Sequence, residues 1–235
     1  MLEPGTHTIT LIATNSSGAS STKDFRIEIV EDESDLPNDW SRNDITLALR
    51  LGVYLPLHRL ESPVTRVEFA RTMFMTYILA YPVTPVQFPD DMDFPEFRDM
   101  SNDENNMDYI ASAVMVGLGL MDAPDGKFNP NGSLTEREAM QIMYMTIEVA
   151  RNRSIATYGE MAESSFIPEL MEWGILGTDG PNAYRGDEKL SIKLALARIG
   201  SFIRYEYDLE EGDYGVATGY FDMDDVEDEV ARVRR

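Results

Sequence analysis

"SPVTRVEFARTMF" (Ser62–Phe74) and "GSLTEREAMQIM" (Gly132–Met143) share the pattern that decides the fold of this chain. In each stretch a Thr is followed three residues later by a Glu. The Thr oxygen can accept a hydrogen bond from the backbone N–H three residues on, while the Glu reaches back to the Thr N–H. This capping box predicts two long helices, which begin after Thr65 and Thr135.

An apolar face follows the first capping box. Five residues recur at helical spacing and are predicted to pack on one side: Phe69, Met73, Phe74, Tyr77 and Ile78. The chain contains 14 Met, several of them in "MFMTYILAY" and "MQIMYMTIEV", and we interpret these as helix-packing residues. Ser191 opens a third, weaker copy of the long helix.

A second repeated pattern precedes each long helix. An Ile is followed seven residues later by a Gly after a short apolar run, where a glycine can end a helix in the left-handed conformation. The pairs are Ile45 and Gly52, Ile110 and Gly117, and Ile167 and Gly174. The chain is therefore predicted to contain three copies of a short helix, a glycine, a loop and a capped long helix.

The first thirty residues differ from the rest. "THTITLIAT" and "STKDFRIEIV" have strand character, and the turn-forming "NSSG" lies between them. We predict a β-hairpin that resembles the last two strands of bacterial immunoglobulin-like or PKD-like modules. It either links this region to a preceding domain or pairs with the sheet edge of another chain.

Composition limits the partners. The net charge of -22 argues against duplex nucleic acid and anionic membranes. Two acidic stretches, 88–108 and 206–235, carry most of this charge, whereas 37–81 is slightly basic. With no Cys and two isolated His, neither a disulfide, a thiolate metal site nor a catalytic triad is predicted, and we expect no cofactor, metal or membrane insertion.

The segment 35–207 resembles a tandem of three S-layer homology (SLH) motifs. Repeat 1 supplies Asp35-Leu36, Trp40, Gly52-Val53 and "TRVEFA" from Thr65 to Ala70. Repeat 2 supplies "FRDM" from Phe97 to Met100, Gly117-Leu118, "GKFNP" from Gly126 to Pro130 and "TEREA" from Thr135 to Ala139. Repeat 3 keeps "GILG" from Gly174 to Gly177 and "SIKLA" from Ser191 to Ala195.

The resemblance implies a mainly α, pseudo-threefold domain of helix-loop-helix repeats that follows the hairpin. We expect the hairpin in 1–32, the three repeats in 33–82, 83–152 and 153–207, and an acidic extension in 208–235. The family binds acidic secondary cell-wall polysaccharide non-covalently in grooves between repeats. This chain is thus expected to be a non-catalytic anchoring module at the cell wall of a bacterium, in a fragment without its own signal peptide.

The resemblance also nominates site residues. Arg66 is the main candidate, because a guanidinium suits a carboxylate and Arg66 is expected to point outward without a structural contact. The other motif positions are Trp40, Asp35, Asp99 and Gly117, with Arg137 and Lys193 as secondary cations. At the position of Arg66 the other repeats carry Glu136, which is expected to repel an anionic glycan, and the neutral Ile192.

Several alternatives stay open. The repeats could form a degenerate SLH scaffold for protein–protein assembly, possible partners being other surface proteins, or a hydrolase with a carboxylate pair in a cleft. Trp40 could stack on sugar or fill the seam between repeats, whereas Trp173 is predicted to pack in the core. "NPNGSLTERE" has Asn and Glu at calcium-loop positions, but Lys127 falls where the first ligand is required, so we predict no calcium site. The acidic runs are interpreted as solvated linker.

Overall fold

Six α-helices dominate the part of the chain that the computed structural model describes, which comprises residues 5–14, 20–29, 36–50, 52–53, 55–80, 94–103, 105–151, 158–159 and 161–209. The predicted mainly α class is confirmed. The helices are α1 (Arg42–Arg50), α2 (Arg66–Ala80), α3 (Met107–Gly117), α4 (Glu136–Ala150), α5 (Glu163–Glu172) and α6 (Ile192–Glu206). Short 3-10 turns at Leu57–Arg59, Pro124–Gly126 and Gly180–Asn182 lie in the loops that precede the long helices.

Two strands precede the helices. β1 (Gly5–Thr14) pairs antiparallel with β2 (Ser20–Ile29), with Gly5 opposite Ile29 and Thr14 opposite Ser20. The relation of these strands to an immunoglobulin-like module stays a prediction. Residues 30–35, which form the first part of the linker to repeat 1, and the acidic extension beyond Leu209 lie outside the described residues.

The long helices begin where the capping chemistry predicts. The Thr135 side chain accepts a hydrogen bond from the backbone N–H of Glu138, and the Glu138 carboxylate accepts one from the Thr135 N–H at 2.7 Å. Thr65 and Glu68 make the same pair of contacts before α2, and Ser191 caps α6 alone. Both predicted capping boxes are confirmed.

A closed ring of backbone hydrogen bonds joins the starts of the three long helices. The N–H of Val64 donates to Leu190 O, that of Leu190 to Leu134 O, and that of Leu134 to Val64 O, at 2.9, 2.9 and 3.4 Å. All three side chains are fully buried. The first N–H of each long helix, which has no partner within its own helix, also donates across the ring, to Gly132 O, Glu188 O and Ser62 O. The three segments are therefore related by a pseudo-threefold hydrogen-bond pattern.

The helices pack in the same cyclic order. Each long helix packs against the short helix of the next repeat, so α2 contacts α3 and α4 contacts α5. Contact between α6 and α1 closes the ring and is the most extensive of the three. At this closure Gly200 lies so near the backbone of Asp44 that a Cβ would overlap it. The Asp44 carboxylate accepts a hydrogen bond from Ser201 Oγ at 3.0 Å and forms an ion pair with Arg204 at 2.8 Å.

A main hydrophobic core lies among the six helices, and a smaller cluster of Phe74, Ala111 and Val114 lies where α2 packs on α3. The predicted face of α2 is buried at Phe69, Met73, Phe74 and Tyr77, whereas the side chain of Ile78 is outside the described set. Six methionines in the core are at most 2% exposed: Met73, Met115, Met121, Met140, Met143 and Met145. Four of them, Met73, Met140, Met143 and Met145, lie in the two stretches interpreted as helix-packing.

The glycine prediction is wrong in repeat 2. Gly52 and Gly174 adopt the left-handed conformation with φ of 80° and 72°, but Gly117 is the last residue of α3 and Gly119 takes the left-handed position with φ of 71°. The physical reason is packing, because Leu120 is 1% exposed and must reach the core. Its N–H closes on Met115 O at 2.9 Å. The repeat 2 motif therefore reads Gly119-Leu120 rather than Gly117-Leu118.

Candidate functional site

Arg66 lies between repeats 1 and 2 and does not point outward. Only 8% of the residue is exposed. Its guanidinium donates to Phe128 O at 2.8 Å, to Asp122 O at 2.7 Å and to Asp122 Oδ1 at 2.9 Å, and it lies over the Phe128 ring at 5.1 Å. The expectation that Arg66 has no structural contact is therefore wrong, because it fastens α2 to the loop of repeat 2.

Each predicted cation forms an ion pair with the repeat that follows its own. Arg66 contacts Asp122 at 2.9 Å, Arg137 contacts Glu163 at 2.7 Å, and Lys193 contacts Asp39 at 2.5 Å. Arg137 and Lys193 have second, longer contacts at 3.0 and 3.7 Å with acidic loop residues. The three pairs follow the cyclic order of the ring, with Lys193 joining repeat 3 back to repeat 1.

Glu136 carries a compensated charge. Its side chain is 1% exposed, and Oε1 accepts hydrogen bonds from Arg198 Nη2 at 2.7 Å and Nε at 3.1 Å. Oε2 accepts the Arg185 N–H at 2.7 Å. Burial lowers the pKa of Arg198, and the adjacent Glu136 opposes that shift. The expected repulsion of an anionic glycan is therefore weakened, since a buried guanidinium lies against the carboxylate.

Sequence reasoning missed Arg198. It lies within "LALARIGSFI", and a charged residue inside such an apolar helical run indicates a buried partner. Its guanidinium also donates to Ile175 O and Asn182 O, both at 3.1 Å, and to the Asn182 side chain. The partner could not be identified from sequence, because Glu136 lies 62 positions away.

The remaining predicted site residues have separate positions. Asp99 accepts hydrogen bonds from the backbone N–H groups of Phe128 and Asn129 at 2.9 and 2.8 Å, so it orders the same loop that Arg66 holds. Gly117 is exposed at the end of α3. Asp35 lies outside the described residues.

Trp40 and Lys193 share a cavity of about 400 Å³. It lies where repeats 1 and 3 meet, and Glu136 of repeat 2 also contributes to its wall. Trp40 is half-buried and packs against the hydrophobic core, so it both fills the seam and lines the cavity. Arg66 is not one of the cavity-lining residues. The structure thus separates the two strongest sequence candidates.

The cavity has a mixed charge pattern. Its carboxylates come from Asp39, Glu61, Glu136 and Glu188, and its cations are Arg185, Lys189 and Lys193. Among the described residues each of these carboxylates has a basic partner within 4 Å. The exposed Lys189 forms no ion pair with any described residue. Lys189 is therefore the cavity cation most available to a ligand.

Asp39 is held as a charged carboxylate at the cavity wall. Burial raises its pKa, but hydrogen bonds from Lys193 and Ser41 outweigh that effect and lower the pKa to about 2. The Ser41 N–H and Oγ donate to Asp39 Oδ1 at 3.0 and 2.7 Å, and Lys193 donates to Oδ2. Asp39 thus closes the turn before α1 with one oxygen and holds Lys193 with the other.

Trp173 is half-buried and packs against the core rather than within it, so the core prediction holds only in part. Its ring stacks on Tyr144 at 5.6 Å and on Tyr205 at 5.1 Å, and the Arg151 guanidinium lies 5.1 Å from its centre. Glu138, the last position of the calcium-like pattern, uses its carboxylate in the capping box of α4. Within the described ranges no group of three His, Cys, Asp or Glu side chains is placed to hold a metal ion.

Comparison with known proteins gives no family assignment. No protein-family model matches the chain, and no curated protein matches it. Across the described residues no helix has both the length and the apolar character needed to cross a membrane.

Proposed function

We propose that this chain is a non-catalytic anchoring module that binds an anionic cell-wall polysaccharide in the Trp40 cavity. The observation that carries the proposal is the placement of Trp40 beside Lys189 and Lys193 in one cavity between repeats. Its volume of about 400 Å³ falls within the usual range of small-ligand sites, roughly 300–1,000 Å³.

The cavity offers complementary chemistry for an acidic sugar. An indole presents a large apolar surface suited to the C–H face of a pyranose ring. Lysine ammonium groups are flexible point charges for a carboxylate. The cavity also contains Ser191, the residue that caps the N-terminus of α6, and the helix dipole adds positive potential there. The binding residues proposed are accordingly Trp40, Lys189 and Lys193, with Arg66 in a supporting structural role.

The cyclic architecture supports the resemblance to a triple SLH domain. The closed backbone ring at Val64, Leu134 and Leu190 and the cyclic order of helix packing are what three equivalent repeats would produce. The proposed triple SLH domain covers residues 33–207. It would belong to an exported protein that acts at the bacterial cell surface.

Two of the four cavity carboxylates, Asp39 and Glu136, favour binding over hydrolysis. A general acid needs a raised pKa, whereas hydrogen bonds lower the pKa of Asp39 to about 2 despite the opposing effect of burial. Glu136 is fixed by Arg198 and by the Arg185 backbone. Both carboxylates are thus held by hydrogen-bond donors within the protein.

Co-sedimentation with cell-wall sacculi, before and after extraction of the secondary polymer, tests the proposal. Trp40→Ala and Lys189→Met are expected to weaken polymer-dependent binding at least about tenfold, the effect of losing roughly 1.4 kcal/mol of binding free energy. Lys127→Met is the matched control, because Lys127 is also an exposed loop lysine and does not line the cavity. All variants are checked for folding by circular dichroism. Binding that is absent, or that is equal in all variants, would overturn the proposed site.

A second candidate is a scaffold for protein–protein assembly. It is favoured by the ion pairs that occupy Arg66, Arg137 and Lys193, because these cations stabilise the ring instead of standing open to a glycan. This function predicts that retention on the wall survives polymer extraction and disappears after the sacculi are stripped of protein by protease.

A further inference from the structure

Lys193 has a carboxylate partner within the protein at the place where the proposed ligand would bind. Its Nζ lies 2.5 Å from Asp39 Oδ2 and 3.7 Å from Glu61 Oε1. All three residues line the cavity. The side chains of Lys193 and Asp39 are 18% and 38% exposed, so the pair lies at the cavity wall within reach of an incoming group.

If Lys193 leaves Asp39 for a ligand anion, Asp39 keeps its hydrogen bonds from Ser41. The Ser41 N–H and Oγ both donate to Asp39 Oδ1, the oxygen that Lys193 does not use. Release of Lys193 therefore does not strand an unsatisfied carboxylate, which would otherwise carry a desolvation cost. The lysine side chain has a flexible four-carbon stem, so its ammonium can turn from Asp39 toward a ligand anion.

The ion pair is also weak enough to be exchanged. Partly exposed pairs contribute little net stability because solvent screens them, whereas breaking a buried pair leaves an uncompensated charge. The Lys193–Asp39 pair belongs to the first class and the fully buried Arg198–Glu136 pair to the second.

We propose that Asp39 is an internal competitor for the acidic group of the ligand, and that its contact with Lys193 sets the affinity of the cavity. This inference rests on the proposed glycan-binding function. An acidic sugar that enters the cavity first meets the exposed Lys189 and gains its second cation by displacing Asp39 from Lys193.

Asp39→Asn tests the competition, because it removes the negative charge and keeps a side-chain oxygen that can accept the Ser41 N–H. Binding is measured by titration calorimetry with the purified secondary polymer, and with the same polymer after chemical reduction of its carboxyl groups. Asp39→Asn is expected to bind the acidic polymer about three- to tenfold more tightly than the unaltered chain. The change removes the carboxylate that competes for Lys193 and that repels the acidic groups of the polymer. Binding of the carboxyl-reduced polymer is expected to stay unchanged.

Two matched variants separate charge from structure. Ser41→Ala removes the hydroxyl contact to Asp39 in the turn before α1 without a change of charge, and it is expected to give no gain in affinity. Asp39→Asn combined with Lys193→Met is expected to lose the gain, because the released ammonium is then absent. The unfolding temperature of each variant is recorded alongside.

The outcomes distinguish the two proposals. If neither the unaltered chain nor Asp39→Asn binds the polymer, both the function and the inference fail. If the unaltered chain binds and a folded Asp39→Asn binds equally or less tightly, the inference alone is overturned. A gain that extends to the carboxyl-reduced polymer, or that persists without Lys193, also contradicts competition for that lysine.

Discussion

Removal of the Arg198 guanidinium is expected to be among the most destabilising single changes in this fold. Its side chain is fully buried, as is that of Glu136. Arg198→Met keeps most of the apolar stem but deletes every hydrogen bond that the guanidinium makes. Among the described residues, the Glu136 carboxylate then keeps the Arg185 N–H as its one remaining donor, and Ile175 O and Asn182 O each lose a donor.

The expected magnitude follows from the class of interaction. Removing one partner of a buried ion pair typically costs about 3–5 kcal/mol, because an uncompensated charge stays buried. At about 2–4 °C per kcal/mol for a chain of this size, the unfolding temperature should fall by roughly 6–20 °C. Denaturant titration followed by circular dichroism gives the corresponding free energy of unfolding.

A double-mutant cycle tests whether the charge pair is responsible. Ile192 occupies in α6 the first helical position that Glu136 occupies in α4, so an apolar residue is compatible with this part of the fold. Glu136→Ile with Arg198→Met should therefore be more stable than the sum of the single changes predicts, with a coupling of about 0.5–3 kcal/mol. Recovery is partial, since the carbonyl groups stay without their donor.

Arg71→Met is the control. Arg71 forms a 3.0 Å ion pair with Asp108, and about a third of each side chain is exposed, so its loss should cost no more than about 1 kcal/mol. The reasoning is refuted if Arg198→Met costs less than this control, or if the double mutant shows strict additivity.

Three further changes probe other parts of the ring. Gly200→Ala should destabilise the chain by about 1–3 kcal/mol in urea titrations, because the new Cβ overlaps the Asp44 backbone, although Ala is the better helix former by about 1 kcal/mol; unchanged stability would show that α1 and α6 can separate freely. Thr135→Ala should cost about 1 kcal/mol in thermal unfolding through loss of the cap shared with Glu138, and an equal loss at an uncapped exposed threonine would contradict this. Burial raises the pKa of Tyr207 from 10.0 to about 12, so its contribution to stability is present below pH 10 and is lost as the pH rises toward 12. Tyr207→Phe should flatten the pH dependence of the free energy of unfolding between pH 10 and 12, and an unaltered pH dependence would be evidence against it.

Local chemistry explains what the sequence predicted correctly. The Thr135 and Glu138 groups that start α4 lie within one helical turn of each other, so their pairing follows from spacing alone. The buried positions Phe69, Met73 and Phe74 of α2 follow from a 3.6-residue period for the same reason. The mainly α class and the two capping boxes were therefore determined by the sequence.

Small local differences in packing explain one error. "GLGLM" offers two glycines that could end α3, and the regular spacing of seven favoured Gly117. The structure uses Gly119, because this choice buries Leu120 in the core while Leu118 stays half-exposed. The burial of a side chain against other helices cannot be obtained from the period of its own helix.

Only the tertiary structure decided which charges meet. Arg66 looked free because its partners lie 56 and 62 positions away, and Lys193 lies 154 positions from Asp39. The sequence by itself determined where helices begin and which faces are apolar, since those properties depend on residues within a turn or two. The packing of α6 on α1 places Trp40 and Lys193 in one cavity, whereas Arg66 is buried between repeats 1 and 2. Contacts between such distant segments depend on how whole helices pack.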